Sequence, residues 1–245
     1  MLEAPLPEQP TSPTSSYLIC SGQLSGTWLL SGLLESSGAA GHPHEYFEAG
    51  TEEPNRRRWC ADSLEEYVAC VLAVGTTGNG VFGASVMWPN FADLLDRIRG
   101  AGESDVTALE RVFPQLHFVF LWREDVVAQA VSWSKAAQTG YYHHWDSPVG
   151  QAGFDPEQIE ALVAEASANV AAWRRWFAEN GVGPLTIRFE DLVEQKRETA
   201  LLVVSHIGVE LPEGVEIEEL TAKASDESNA GWAERYRALG HRSER

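Results

Sequence analysis

Apolar residues fall along this chain in two rhythms: short unbroken runs, and longer stripes at helical spacing. The segment Ser16–Leu34 (SYLICSGQLSGTWLLSGLL) reads as a short apolar strand, a small-residue turn and the opening of a helix that ends near Gly38-Ala-Ala-Gly41. His42–Asn55 shows little periodicity and predicts a polar loop. Ser63–Ala73 predicts a helix capped by Ser63, with Glu65 and Glu66 in its first turn. After the turn Gly75–Gly80, Val81–Trp88 predicts a strand, and Asn90 is placed to cap a helix over Phe91–Arg99. Leu116–Trp122 (LHFVFLW) predicts a buried strand, and Arg123-Glu-Asp125 then opens a helix running to about Gln138. Thr139–Phe154 is rich in Gly, His and aromatic residues and predicts irregular structure.

Asp155 caps the clearest helix, with Pro156 at its first position and Gly181 after its end. Ile159, Leu162, Val163, Ala166, Val170, Trp173 and Phe177 form its single apolar stripe. Leu185–Phe189 predicts a further strand, and Val193–Ile207 a further helix. Strands alternating with helices predict an α/β fold, a mainly parallel sheet with helices on both faces. Residues 1–15 carry four of the chain's prolines with Ser and Thr and read as a disordered leader, which leaves 16–245 as one domain.

Composition narrows the partners. The balance of 36 acidic against 18 basic residues gives a formal charge of −18, which argues against a nucleic-acid surface. No run approaches the ~20 apolar residues of a membrane span, and no basic, apolar signal sequence opens the chain. Cys20, Cys60 and Cys70 lack metal-type spacing and read as reduced thiols, so the expected location is cytoplasmic. The pairs His42/His44 and His143/His144 lack a third ligand at diagnostic spacing, and no metal site is assigned. Nine Trp suggest aromatic surfaces around a pocket as well as ordinary core.

The first turn holds the candidate chemistry. A strand feeding a Gly/Ser turn into a helix N-terminus gathers unpaired N–H groups and the positive end of the helix dipole, a natural anion site. Yet no Lys or Arg occurs between Met1 and Asn55. The GxxxxGK[ST] pattern is absent, and with only Gly22 and Gly26 available the turn is not a dinucleotide fingerprint either.

Read in order, the segments resemble the bacterial trehalose-sulfotransferase-type family. The turn is similar to that family's 5′-phosphosulfate loop, and Gly41-His-Pro-His-Glu-Tyr-Phe47 to its Gly-x-Pro-x-Glu-Tyr/Phe-Phe segment. Arg123–Trp133 is similar to its 3′-phosphate segment, and Lys223-Ala-Ser-Asp226 with Trp232–Tyr236 to its C-terminal block. Val81–Trp88 and Arg188–Leu192 fall in the same order between them. The resemblance implies a P-loop-like three-layer sandwich that binds 3′-phosphoadenosine-5′-phosphosulfate (PAPS) and moves its sulfuryl group to a hydroxyl of a small molecule. It implies Glu45 as the base, and Ser25, Gly26, Thr27, Arg123, Ser132 and Lys223 as donor contacts. Independently of the resemblance, a histidine beside Glu45, His44, is a candidate to assist proton transfer or bind substrate. A homodimer is a family expectation. Residues Trp28, Trp88, Trp133, Tyr141 and Tyr142 are candidates for the acceptor.

The departures gather in one place. The family's Arg-Ser-Gly-Ser-Thr loop is Leu24-Ser-Gly-Thr-Trp28 here, its Phe-Gly-x-Lys is Phe82-Gly-Ala-Ser85, and its C-terminal Arg is Lys223. Two cations are gone, while Glu45, Arg123 and Ser132 persist. Three readings follow. The chain is a PAPS-dependent sulfotransferase, or it reuses the pocket without PAPS for isomerisation or cyclisation of an apolar metabolite, or it is a non-catalytic binding subunit.

Overall fold

The computed structural model describes residues 5–142, 146–220 and 227–240. Four parallel strands, β1 (Ser15–Ser21), β2 (Val81–Met87), β3 (Leu116–Trp122) and β4 (Leu185–Arg188), form a sheet in the order β2-β1-β3-β4. Ile19 lies level with Ser85 on one side and with Val119 on the other. Both faces are covered, which is why β1 and β2 read as unbroken apolar runs.

On one face Leu18, Cys20, Phe82, Val86 and Phe120 pack under α3 (Leu64–Gly75), α4 (Trp88–Ile98), α5 (Asp105–Val112) and α7 (Pro156–Glu179). Trp173 is the largest fully buried side chain in that layer, in ring contact with Phe91, Trp176 and Phe177. On the other face Tyr17, Ile19, Val119, Leu121 and Ile187 pack under α1 (Thr27–Ser36) and α9 (Lys196–His206). A smaller cluster joins α6 (Val126–Thr139) and α7 to the C-terminal helix α10 (Glu227–Gly240) through Ala130, Val131, Ile159 and Ala233.

Local signals explain most of the boundaries. Ser63 accepts from Glu66 N while the Glu66 carboxylate accepts from Ser63 N, a capping box that starts α3. Asp155 accepts from Glu157 N and Gln158 N at the start of α7.

Three expectations are corrected. The expected loop ends early: residues 49–55 belong to helix α2 (Ala49–Trp59), despite Pro54 in its interior. Its support is electrostatic and tertiary: Arg56 pairs with Glu52 one turn earlier at 2.8 Å, and Arg97 grips both Glu52 oxygens at 2.9 Å. Asn90 does not cap α4, which already begins at Trp88 with Met87 at the cap, because Pro89 favours the first turn. The helix expected over Val193–Ile207 is two, α8 (Phe189–Glu194) and α9, broken at Gln195. Among the described residues no helix is long and apolar enough to cross a membrane.

Candidate functional site at the carboxyl edge of the sheet

Ligands of open parallel sheets bind beyond the carboxyl ends of the strands. Here those ends are Ser21, Met87, Trp122 and Arg188; the first three run within one to five residues into a loop or helix carrying a candidate residue, and Arg188 leads directly into the helix that begins at Phe189.

The turn after β1 bends sharply. Leu24 (φ 55°) and Gly26 (φ 92°) both adopt left-handed backbone, which for Leu is a strained state of the kind that concentrates at ligand sites. Three successive carbonyls are drawn to the protein side. Ser25 Oγ donates to Gly22 O at 2.7 Å, Gln129 Nε2 to Gln23 O at 2.6 Å, and Arg123 Nη1 to Leu24 O at 3.5 Å. Gly26 has no side chain with which to cap the first N–H groups of α1, which as in any helix lack intrahelical acceptors. Thr27 and Ser21 share a hydroxyl hydrogen bond of 2.9 Å, and the Trp173 indole donates to Ser21 O at 2.9 Å. The aromatic core is thereby tied directly to the base of the turn.

A Cβ on Gly26 would run into the Phe189 ring, in a backbone state that side chains rarely adopt. Gly26→Ala should therefore lower stability by about 2 kcal/mol or more and distort the turn. Urea unfolding checks the first effect, and anion binding the second.

Arg123 stands directly after β3, stacked at 4.5 Å on the Phe189 ring. It is half-buried, and its Nε is buried with no partner among the described residues. Burial pulls its pKa down, while Glu190 and Asp125 push it back up. A half-buried guanidinium with an unpartnered Nε is suited to an anion. Ser132, on α6, donates to Ala128 O at 3.0 Å and accepts from Asn229 of α10 at 3.1 Å, and the Asn229 Oδ1 is buried without a partner.

The acidic member lies on the segment between α1 and α2. Gly41 (φ 69°) brings the chain so close to β2 that a Cβ there would strike Gly83 N. His44 then bridges to Ala84, with Ser85 N donating to His44 O at 2.9 Å. Glu45 is only 7% exposed and its Oε1 has no partner. Burial, assisted by Glu48, pushes its carboxyl up to about 8. Glu48 also raises Tyr142, after the burial of that phenol, so Glu45 and Tyr142 share one acidic neighbour. The Trp28 ring lies 5.6 Å from that of His44, linking this segment to the turn.

The remaining candidates scatter. Trp88 packs edge-on against Trp173 at 5.2 Å, at the margin of the core. Trp133 is half-buried on α6, and Tyr141 follows its end. Lys223, His143 and His144 lie outside the described residues. Ser85, which stands where the family pattern has Lys, is 2% exposed and donates to Pro43 O at 2.6 Å, beside Ser31 at 3.1 Å. A hydroxyl knot occupies the position of the missing charge. Gln129, Phe189, Asn229 and Glu35 were not singled out by sequence, because each reaches the site through a contact distant along the chain or, for Glu35, from the far end of α1.

A parallel four-stranded sheet with helices on both faces is the α/β fold of the sulfotransferases. The chain belongs to the Stf0 sulphotransferase family, whose family model matches residues 16–239. It is 29% identical to the trehalose 2-sulfotransferase of Mycolicibacterium smegmatis over a 262-residue alignment covering 91% of this chain and 94% of that one. The trehalose 2-sulfotransferase of Mycobacterium tuberculosis matches at 29% over 260 residues, with the same coverage. Among solved structures, a sulfotransferase from Alicyclobacillus acidocaldarius aligns with TM-score 0.48 and 15% identity, covering 94% of this chain and 96% of that one.

Proposed function

We propose that this chain transfers a sulfuryl group from PAPS to a hydroxyl of a small, less polar molecule than trehalose, with Glu45 as the base. The observation that carries the reading is the idle, buried Nε of Arg123, held beside a turn whose carbonyls are turned away. Backbone amides and one desolvated guanidinium suit an anionic donor even without the two missing side-chain cations.

When bound, PAPS supplies an activated sulfuryl group on a good phosphate leaving group. The chain's own residues do the rest. The first N–H groups of α1 and Arg123 hold the anion, and Ser132 with Asn229 offers polar contacts beside it. Glu45, in its ionised form, takes the proton from the acceptor hydroxyl at the carboxylate oxygen that has no partner among the described residues. Half-buried Trp28, Tyr141 and Tyr142 provide an aromatic surface for an acceptor less polar than a disaccharide.

A second reading is favoured by one observation, the burial of Ser85 in the Ser31–Pro43 knot, which leaves no cation at that position. On that reading Glu45 and His44 move protons on an apolar substrate without a sulfuryl donor. Incubation with ³⁵S-labelled PAPS and a panel of phenols, alcohols and glycosides separates the two. Label entering an acceptor, and lost in Glu45→Gln, is the result expected. Donor-independent conversion of an acceptor without incorporation would overturn the first reading in favour of the second.

A further inference from the structure

Glu35, near the end of α1, collects two imidazoles. Its Oε1 lies 2.9 Å from His42 Nδ1 and 3.4 Å from His44 Nε2. Burial pushes this carboxyl up, but the hydrogen bonds from His42 and His44 outweigh it and bring it down to about 2. A partly buried carboxylate that stays ionised is a fixed negative charge, and such charges are normally matched by cations.

His44 is 5% exposed, its Nε2 edge is taken by Glu35, and its Nδ1 is buried with no partner. The ring lies between Trp28, at 5.6 Å on the first turn of the phosphosulfate helix, and Tyr46 at 5.9 Å. Its backbone carbonyl accepts from Ser85 N, so His44 stands on the extended segment beside the position that has lost its lysine. One edge of the ring lies 3.4 Å from a carboxylate, the other has no partner among the described residues, and the backbone of the same residue bonds β2 at Ser85.

We propose that Glu35 and His44 together replace that cation, Glu35 holding Nε2–H so that a protonated ring presents Nδ1–H to an anionic oxygen on the 5′ side of the donor. Glu35 is a positioning residue and His44 the contact. The inference rests on the donor reading above. It involves no covalent step, since the ring hydrogen-bonds the anion and is not consumed.

The test compares calorimetric affinities for adenosine 3′,5′-bisphosphate and adenosine 3′-monophosphate, which differ only in the 5′-phosphate. Wild type should prefer the bisphosphate by tenfold or more. His44→Gln and Glu35→Gln should each cut that preference at least fivefold while leaving the monophosphate affinity unchanged. Adding Leu24→Arg, at a partly exposed position, to His44→Gln should restore it. Thermal unfolding confirms that each variant is folded, and ¹⁵N spectra of the labelled histidines should show Nδ1 of His44 gaining a proton as the bisphosphate binds. A preference kept intact in folded His44→Gln would overturn this inference alone. Failure of wild type to bind either nucleotide would overturn the donor reading and this inference with it.

Discussion

Glu45→Gln should abolish turnover and, at the same time, make the protein more stable. The first effect follows from removing the proposed base, the second from the burial that pushes this carboxyl up to about 8. In the unfolded chain the group ionises near 4.5, its ordinary value, whereas the folded chain resists ionisation until about pH 8. A folded pKa above the unfolded one gives stability that is full below pH 4.5 and is lost as pH rises toward 8. Near pH 7 the wild type therefore carries a penalty that a neutral amide does not, worth up to about 3 kcal/mol. Denaturant unfolding at pH 5 and pH 8 checks this. The two proteins should lie close at pH 5, with the variant pulling ahead at pH 8. A variant no more stable than wild type at pH 8 would mean that the carboxyl is not desolvated as described.

The same shift sets the pH profile of the reaction. A base must be ionised, so kcat/KM should climb as pH rises through about 8. Glu48→Gln removes the neighbouring charge that adds to the effect of burial, and should move that climb to lower pH.

Arg123→Met should weaken binding of adenosine 3′,5′-bisphosphate by about 10- to 100-fold, the loss expected for a charge-assisted hydrogen bond of about 1.5–3 kcal/mol. It should cost the fold little. The guanidinium is half-buried, no carboxylate among the described residues is in hydrogen-bond contact with it, its Nε is unpartnered there, and its contact to Leu24 O is long at 3.5 Å. Replacing a desolvated charge with an unbranched apolar chain removes a penalty along with the contact. Unchanged affinity would remove Arg123 from the donor site.

Glu45 and Arg123 share one signature. Each has one polar atom, Oε1 and Nε, buried without a partner among the described residues, and such atoms are commonly completed by a ligand. The Ser85 knot is the opposite case. There a position that holds a cation in the family pattern has been satisfied internally by Pro43 and Ser31, so its hydroxyl already has its partners.

How much of this could be read in the sequence varies with the reach of the interactions. Strand β3 lies over the same residues that its apolar run predicts, and α7 starts at the expected Asp155 cap, because both signals are local. Helix α2 shows no apolar stripe, since its sequence AGTEEPNRRRW is largely polar, and its support comes from distant residues, Arg97 on Glu52 and the core around the buried Trp59. The order of segments pointed to the turn, to Glu45 and to Arg123. It could not show that Gln129 pins Gln23 from 106 residues away, nor that Glu35 turns back onto His42 and His44. Trp28 and Trp88 illustrate the same limit. Both are aromatic residues beside the turn or a strand end, yet one lies against His44 and the other against Trp173.

The claim beneath all of this is that an Stf0-family pocket stripped of two cations still holds an adenosine phosphosulfate through backbone amides, Arg123 and its new neighbours. Calorimetric titration of the wild-type chain with adenosine 3′,5′-bisphosphate addresses it directly. Saturable binding at one site, tightened by Leu24→Arg, is the result predicted. No heat from the wild type, with binding appearing only once Leu24→Arg and Ser85→Lys are introduced together, would contradict it and mark the donor site as lapsed.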